Sequence, residues 1–266
     1  MMRALSLPAL LFALVATAGA ARADCTALAD AASGAVLLEE GDCATRITPA
    51  STFKIPLALM GYESGFLVDE HAPALPFKKG YVEWNPEWRQ TTDPARWMEK
   101  SVVWYSQRIT AHLGAERFAR FVVAFDYGNA DVSGDPGEDN GLLRSWIGSS
   151  LKISPREQLT FLGRVVRREL PVDAHAYDMT SALTALDPLP NGWSLNGKTG
   201  AAFPRLADGS WDREHGYGWF VGWAAKDGRT VVFVRQVQAE RKGEVSAGIA
   251  ARAAFIAALP ALLDKL

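Results

Sequence analysis

The sequence predicts an α/β protein of the α+β type, in which a mainly antiparallel central sheet is flanked by helices and interrupted by a mostly helical insertion. Three observations predict it: a strand pattern near the N-terminus, helical patterns through the middle, and a strand–turn–strand pattern before a closing helix. Strands at both ends of a chain complete one sheet when the region between them forms a separate layer. We therefore expect a sheet-containing part over about residues 24–62 and 190–266, and a helical part over about residues 63–189.

The strand signals lie near both chain ends. An apolar run at residues 35–38 follows a Ser-Gly turn, and runs rich in β-branched and aromatic residues cover residues 217–224 and 230–237. Asp227-Gly228 separates the two later runs, and this dipeptide favours the tight turn of a β-hairpin. The sequence therefore predicts one early strand and one late hairpin.

Helix-start signals recur along the chain. Asp93-Pro94 is a capping residue followed by proline at the first helical position, and Ser154 precedes Glu157 by three residues, as in a capping box. Apolar residues with helical spacing follow both signals. We also expect an apolar helix over residues 55–62 and an alanine-rich helix over residues 246–263.

Residues 1–23 have the pattern of a secretory signal peptide. Arg3 supplies the positive start, residues 5–18 are apolar, and Ala21-Arg22-Ala23 is a small-x-small cleavage site. The alternative is an uncleaved membrane anchor, since the apolar stretch is nearly long enough to span a bilayer. Cleavage predicts a single mature domain over residues 24–266, exported to the bacterial periplasm. No later apolar stretch has the length of a membrane span, so no stable membrane association is expected.

Composition and charge exclude several classes of protein. Hydrophobic residues make up 48% of the 266 and charged residues 22%, which suits a compact unit with a large core and excludes a disordered or collagen-like chain. The formal net charge is −2, and loss of the signal peptide would remove two arginines and no acid. No nucleic-acid partner is expected for such an acidic protein. The four histidines lack paired ligand spacing, so we expect no metal site and no zinc hydrolase.

Cys25 and Cys43 are the only cysteines, and both lie close to the expected mature N-terminus. A disulfide between them would staple the first hairpin of an exported protein. Two unpaired thiols are the alternative, because the sequence does not show that the two Cβ atoms meet.

Ser51-Thr52-Phe53-Lys54 places a hydroxyl and an amine one turn apart at the start of a predicted helix. A serine needs an adjacent base to become a nucleophile, and the free N–H groups of a helix start stabilise negative charge. The motif alone is weak, because Ser149 and Lys152 have the same spacing. That second pair directly precedes the capped helix at Ser154, so we place it in a strand or loop and discount it.

Lys198-Thr199-Gly200 lies where the closing strands begin. A lysine and a hydroxyl on a strand edge suit a substrate carboxylate, and Gly200 would keep that edge bare for a flat bicyclic ligand. The backbone N–H groups of Ala201 and Ser51 would then form an oxyanion hole. An ordinary turn is the alternative interpretation.

Ser101-Val102-Val103 lies within the helical middle of the chain. Ser101 would relay a proton and Val103 would make the site apolar, although the segment alone is also that of a helical serine beside core valines. Trp104 or Tyr105, which follow directly, would line a substrate cleft. The other tryptophans of this region are expected to pack in the core or the cleft.

Four motifs in this order, Ser-Thr-Phe-Lys, Ser-x-Val, Tyr127-Gly128-Asn129 and Lys-Thr-Gly, resemble those of the class D (oxacillinase-type) serine β-lactamases. The resemblance covers essentially the whole mature chain. It implies a serine β-lactamase or penicillin-binding transpeptidase-like fold. It also implies hydrolysis of the β-lactam amide bond of penicillin-type antibiotics, and therefore β-lactam resistance.

The resemblance also implies a role for each matching residue. Ser51 would be the acylated nucleophile, Lys54 would be the general base after conversion to N6-carboxylysine, and Ser101 would relay protons. Lys198 and Thr199 would dock the substrate carboxylate, and Ser51 and Ala201 would form the oxyanion hole. The small-molecule substrate is the expected partner, and a CO2-derived carbamate on Lys54 replaces any cofactor.

Trp146 is the only tryptophan between Asn129 and the predicted helix at Ser154, and it matches the tryptophan with which the family holds the carbamate. Its indole N–H can only donate, as a carbamate oxygen requires. A core-filling tryptophan is the alternative. Phe53, Val103 and Trp146 would desolvate Lys54, and burial lowers the pKa of a lysine by disfavouring its charged form. A neutral amine can then capture CO2.

The resemblance has gaps. No Ser-Asp-Asn triplet occurs, which argues against class A, and the loop over residues 131–144 is long. Arg241 and Arg252 are both candidates for an arginine that docks the substrate carboxylate. A penicillin sensor or transpeptidase and a catalytically silent binding module are the rival functions. Neither the preferred β-lactam class nor the oligomeric state follows from these motifs.

Overall fold

Six strands form one antiparallel sheet in the part of the chain that the structure, a computed structural model, describes: residues 24–266. The predicted signal peptide lies outside the described residues. The strands are β1 (Cys25–Asp30), β2 (Val36–Gly41), β3 (Ala185–Leu186), β4 (Ser194–Ala202), β5 (Tyr217–Lys226) and β6 (Arg229–Gln238). Their order is β2-β1-β6-β5-β4-β3, so the early strands pair with the late ones. This arrangement confirms the predicted fold class.

Helices fill the chain between β2 and β3 and follow β6. Over residues 24–266 they are α1 (Lys54–Glu63), α2 (Pro94–Lys100), α3 (Val103–Ala124), α4 (Gly141–Arg144), α5 (Pro155–Val166), α6 (Ala174–Thr184) and α7 (Ala247–Leu263). Short 3₁₀ turns cover Ala50–Phe53 and Pro86–Trp88. Gly114 interrupts α3 with a φ of 72°, so α3 is two helical segments joined at a kink.

The late hairpin forms as the sequence predicts. Asp227 and Gly228 both have positive φ, 51° and 79°, as the tight turn between β5 and β6 requires. Along β5 the side chains of Trp219 and Val221 point to one face of the sheet, and that of Phe220 points to the other. All three are fully buried, because helices cover both faces.

Two helices sandwich the sheet. Helix α7 packs on one face, where Phe255 contacts Phe220 and Phe233. Helix α5 packs on the other face, against β1 and β6. Although α5 lies inside the segment that we assigned to the helical part, it therefore forms part of the layer next to the sheet.

The predicted helix caps are present. Ser154 accepts a hydrogen bond from the backbone N–H of Glu157, and the Glu157 carboxylate accepts one from the backbone N–H of Ser154 at 2.9 Å. Asp93 caps α2 and Ser246 caps α7 in the same way, through side-chain oxygens. These caps satisfy backbone N–H groups that a helix start leaves without partners.

The first hairpin is held by a covalent link. Cys25 at the start of β1 forms a disulfide with Cys43, which follows β2, and their Cα atoms are 5.1 Å apart. Both cysteines are buried. Over residues 24–266, no helix is both long enough and apolar enough to cross a membrane.

We predict that Ser154→Ala destabilises the protein by about 1 kcal/mol, because the first turn of α5 loses its cap. The matched control is Thr160→Ala on the same helix, whose hydroxyl only bonds back to the Arg156 carbonyl. Alanine favours a helix more than threonine does, so this control should cause no loss. Urea unfolding followed by circular dichroism measures both variants, and equal effects would contradict the assigned cap.

Candidate active site

The 3₁₀ turn Ala50–Phe53 brings together the serine and lysine of the first motif. Lys54 begins α1, and its Nζ donates a hydrogen bond to Ser51 Oγ at 3.4 Å. The Lys54 side chain is fully buried, whereas Ser51 is partly exposed. A nucleophile that a ligand can reach therefore touches an amine that water cannot reach.

Several contacts fix this turn on the sheet. Thr52 Oγ1 donates to the Pro49 carbonyl at 2.7 Å and accepts from Gln158 Nε2 of α5 at 2.9 Å. Trp219 of β5 donates its indole N–H to the Thr48 carbonyl at 3.1 Å. Ala50 has a φ of 49°, a left-handed conformation that strains a residue with a side chain. Sheet and helix together hold the backbone next to Ser51 in an unfavourable conformation.

Strand β4 runs beside this turn at very close range. A Cβ atom on Gly200 would lie 2.7 Å from the Pro49 carbonyl oxygen and 3.1 Å from the Thr52 nitrogen. Glycine is therefore required here for the approach of two backbones, a reason beyond the bare ligand edge that we expected. Ala201, the next residue, is exposed and lines the same cleft as Ser51.

Lys198 of β4 connects the Lys-Thr-Gly motif with the Ser-x-Val motif. Its Nζ donates to Ser101 Oγ and to the Thr199 carbonyl, both at 3.1 Å. Ser101 does not lie inside a helix: it ends α2 in a left-handed conformation, with a φ of 57°. This bend separates α2 from α3 and turns the serine hydroxyl towards Lys198.

Burial shifts the pKa of both lysines. The pKa of Lys54 lies well below its usual value, mainly because burial disfavours the ammonium form and further because of the nearby Lys198 charge. Burial, with the positive charge of Arg252, lowers the pKa of Lys198 to about 7. Burial thus favours the uncharged form of the Lys54 amine.

Apolar side chains surround the start of α1. Phe53 is fully buried, and Trp146 stacks on its ring with centroids 5.7 Å apart. Trp146 is 1% exposed. Val103, at the start of α3, is 5% exposed. The start of α1 therefore lies in apolar surroundings.

A cleft of about 350 Å³ contains most of the predicted residues. Its lining includes Ser51, Ser101, Val103, Thr199, Gly200 and Ala201. Lys54 and Lys198 donate to two of these residues from the buried side.

The aromatic residues of the cleft differ from those we expected. Trp104 and Tyr105 are both fully buried, so the prediction that one of them lines the cleft is wrong. Trp84, which is 61% exposed, and Trp88 line it instead. Trp84 precedes Pro86 by two residues, and a proline favours a turn or the start of a helix. This pattern indicates a loop position for Trp84, and binding residues are frequent on loops.

The two candidate arginines lie in different places. Arg252, on α7, lies close enough to Lys198 for its charge to lower the lysine pKa, whereas Arg241 lies on the exposed loop between β6 and α7. The discounted pair Ser149 and Lys152 lies in the irregular segment before α5. Residues 24–266 contain no group of three histidine, cysteine or acidic side chains placed to hold a metal ion.

Comparisons with known proteins agree with this geometry. Residues 15–259 match the family model of the penicillin-binding protein transpeptidase domain. The chain is 44% identical to β-lactamase OXA-9 of Klebsiella pneumoniae over 245 residues, which cover 91% of this chain and 88% of that protein. It is 35% identical to β-lactamase OXA-1 of Escherichia coli, covering 86% and 80% of the two chains.

A solved structure shows the same similarity in three dimensions. The crystal structure of the OXA-427 class D β-lactamase superposes with a TM-score of 0.86 and 51% identity, over 91% of this chain and 99% of that chain. The identity and the coverage both exceed what a shared fold alone would require. This chain is a member of the class D β-lactamase family.

Proposed function

We propose that this protein hydrolyses the amide bond of penicillin-type β-lactams through an acyl-enzyme on Ser51, and thereby confers β-lactam resistance. One observation carries the proposal: the Ser51 hydroxyl lines an open cleft and accepts a hydrogen bond from Lys54, a buried lysine whose pKa is lowered by burial. Attack of Ser51 Oγ on the lactam carbonyl breaks the strained C–N bond, and hydrolysis of the resulting ester frees the serine.

Lys54 would act as the general base after reacting with CO2. The site fits a carbamate, because burial favours the uncharged amine that reacts with CO2, and because Trp146, whose indole N–H can only donate, stacks on Phe53, the residue before Lys54. Phe53 and Val103 keep the surroundings apolar. A carbamate on Lys54 Nζ would supply an anionic base that accepts the proton of Ser51 and later that of the attacking water.

The remaining motif residues have roles that their positions support. The backbone N–H groups of Ser51 and Ala201 would hold the oxyanion. Ser51 lies at the start of a helix, Ala201 lies on the edge of β4, and both line the same cleft. Ser101 Oγ, bonded to Lys198 Nζ, would return a proton to the lactam nitrogen as the ring opens.

The substrate carboxylate would bind at Lys198 and Thr199. Protonated Lys198 provides the charge, and Arg252 adds a second positive charge close by. A carboxylate bound there would raise the pKa of Lys198 and keep it protonated.

We also propose that residues 1–23 are removed on export and that the protein works in the periplasm. The Cys25–Cys43 disulfide supports this location, because such bonds persist in oxidising compartments. A division into a sheet-containing part and a helical part, near residues 62 and 190, remains a proposal from the sequence.

We predict that Lys54→Ala slows turnover of benzylpenicillin by about 10²–10⁴-fold, because it removes the general base. A penicilloyl adduct on Ser51 should form slowly and persist, and Ser51→Ala should form none. Added bicarbonate should raise the rate of the unaltered protein in CO2-depleted buffer and should not affect Lys54→Ala. Mass spectrometry detects the adduct, and loss of lactam absorbance gives the rate.

Lys152→Ala is the matched control, since Lys152 has the same spacing from a serine but lies outside the cleft. It should turn over substrate like the unaltered protein. Equal turnover by Lys54→Ala would contradict the role of Lys54. Stoichiometric labelling of the unaltered protein without turnover would identify a penicillin sensor instead.

We predict that kcat/KM falls on an alkaline limb set by Lys198, because this group has a pKa of about 7 and loses its charge as the pH rises. Lys198→Arg should move that limb to higher pH, since a guanidinium stays protonated. Lys226→Arg, far from the cleft on β5, should leave the profile unchanged. The profile of kcat/KM from pH 5 to 10 measures this, and an unmoved limb in Lys198→Arg would refute the assignment.

A further inference from the structure

A second, more apolar hollow opens from the catalytic cleft. Its volume is about 580 Å³, and it shares Trp84, Ile147 and Ala201 with the cleft that contains Ser51. Phe203 and Trp211, from the chain between β4 and β5, form its other aromatic walls. The two hollows therefore adjoin each other at these shared residues.

The walls of this hollow are held in place. A Cβ atom on Gly148 would overlap the ring of Trp211, so the tryptophan lies directly against the segment that follows Trp146. The Arg205 guanidinium lies 3.8 Å from the Trp211 ring centre, and a backbone bridge joins these two residues. The hollow is thus largely preformed, as ligand sites usually are.

Two arginines line the hollow, and only one of them has a carboxylate partner. Arg144 Nε donates to Asp135 at 2.8 Å, and Arg205 contacts the same carboxylate at 3.2 Å. Arg213 forms no ion pair with any residue in 24–266, and its guanidinium lies 5.8 Å from the ring centre of Phe203. The hollow therefore presents an aromatic interior with one uncompensated positive charge.

The chemistry of the substrate decides which part of it reaches this hollow. In a penicillin the carboxylate, the ring nitrogen, the lactam carbonyl and the acylamino side chain follow one another in that order. With the carboxylate at Lys198 and Thr199 and the carbonyl at Ser51 and Ala201, the side chain must extend past Ala201. Strand β4 continues in that direction to Ala202 and then to Phe203.

We propose that Arg213 selects β-lactams whose acylamino side chain, when it lies in this hollow, carries an aromatic ring and a negative charge. The inference rests on the proposed hydrolysis of β-lactams and adds a specificity to it. Stacking on Trp84, Phe203 and Trp211 binds the ring, and Arg213 attracts a carboxylate and repels an ammonium group.

Three penicillins test the charge selection, because they differ only in the substituent on the benzylic carbon: hydrogen in benzylpenicillin, carboxylate in carbenicillin and ammonium in ampicillin. The quantity measured is the kcat/KM for carbenicillin divided by the kcat/KM for ampicillin. Benzylpenicillin, whose side chain is uncharged, shows which of the two values a variant changes. Arg213→Gln should lower this ratio about fivefold, since attraction and repulsion across an exposed site are each modest. Arg213→Lys should keep the ratio, and added salt should reduce the selectivity of the unaltered protein.

Arg229→Gln is the charge-matched control. Arg229 begins β6, whereas the other end of that strand, at Gln238, pairs with Tyr217, which follows the segment that carries Arg213. This control should leave the ratio unchanged. A ratio in Arg213→Gln within twofold of that in Arg229→Gln would overturn the selection by Arg213. If the unaltered protein hydrolyses none of the three penicillins, the proposed function itself fails.

A second variant tests the aromatic wall. Trp84→Ala should raise the KM for benzylpenicillin several-fold more than the KM for 6-aminopenicillanic acid, which has no acyl side chain. Equal changes for the two substrates would show that Trp84 does not contact the side chain, and would overturn the placement of the side chain in this hollow.

Discussion

The burial of the Lys54 amine is the constraint on which the rest of the site depends. A charged ammonium in a dry pocket costs far more free energy than a neutral amine, so the fold itself lowers the pKa of this lysine. Phe53 and Val103 are both buried, and Lys198 of β4 lies close enough for its charge to lower the pKa of Lys54 further. The chemistry at Ser51 thus follows from packing, because an exposed lysine at the same spacing would stay protonated.

Backbone strain accompanies this packing. Ala50 and Ser101 both adopt left-handed conformations, and each lies on the lining of the catalytic cleft. Such conformations cost about 1 kcal/mol or more per residue and persist only where surrounding structure enforces them. The bonds from Trp219 and Gln158 to the turn, and from Lys198 to Ser101, provide that enforcement. The sheet and α5 therefore act as the rigid support of the site.

Local sequence signals predicted the elements well, because turns and caps depend on neighbouring residues. Asp227-Gly228 and the Ser154 capping box needed no distant information. The left-handed bend at Ser101 and the burial of Trp104 and Tyr105 depend on long-range packing, and no local pattern encodes them. Gly200 shows the same limit: its presence was noted in the motif, but the Pro49 carbonyl that requires it lies about 150 residues away.

Three basic residues in succession, Arg252, Lys198 and Lys54, determine the electrostatics of the site. Arg252 lowers the pKa of Lys198, and Lys198 lowers the pKa of Lys54, so positive charge is progressively disfavoured towards the buried end. A substrate carboxylate that binds at Lys198 favours the protonated form of that lysine. A charged Lys198 in turn disfavours a proton on Lys54, because coupled groups shift each other reciprocally. Substrate binding and an unprotonated base are therefore mutually reinforcing.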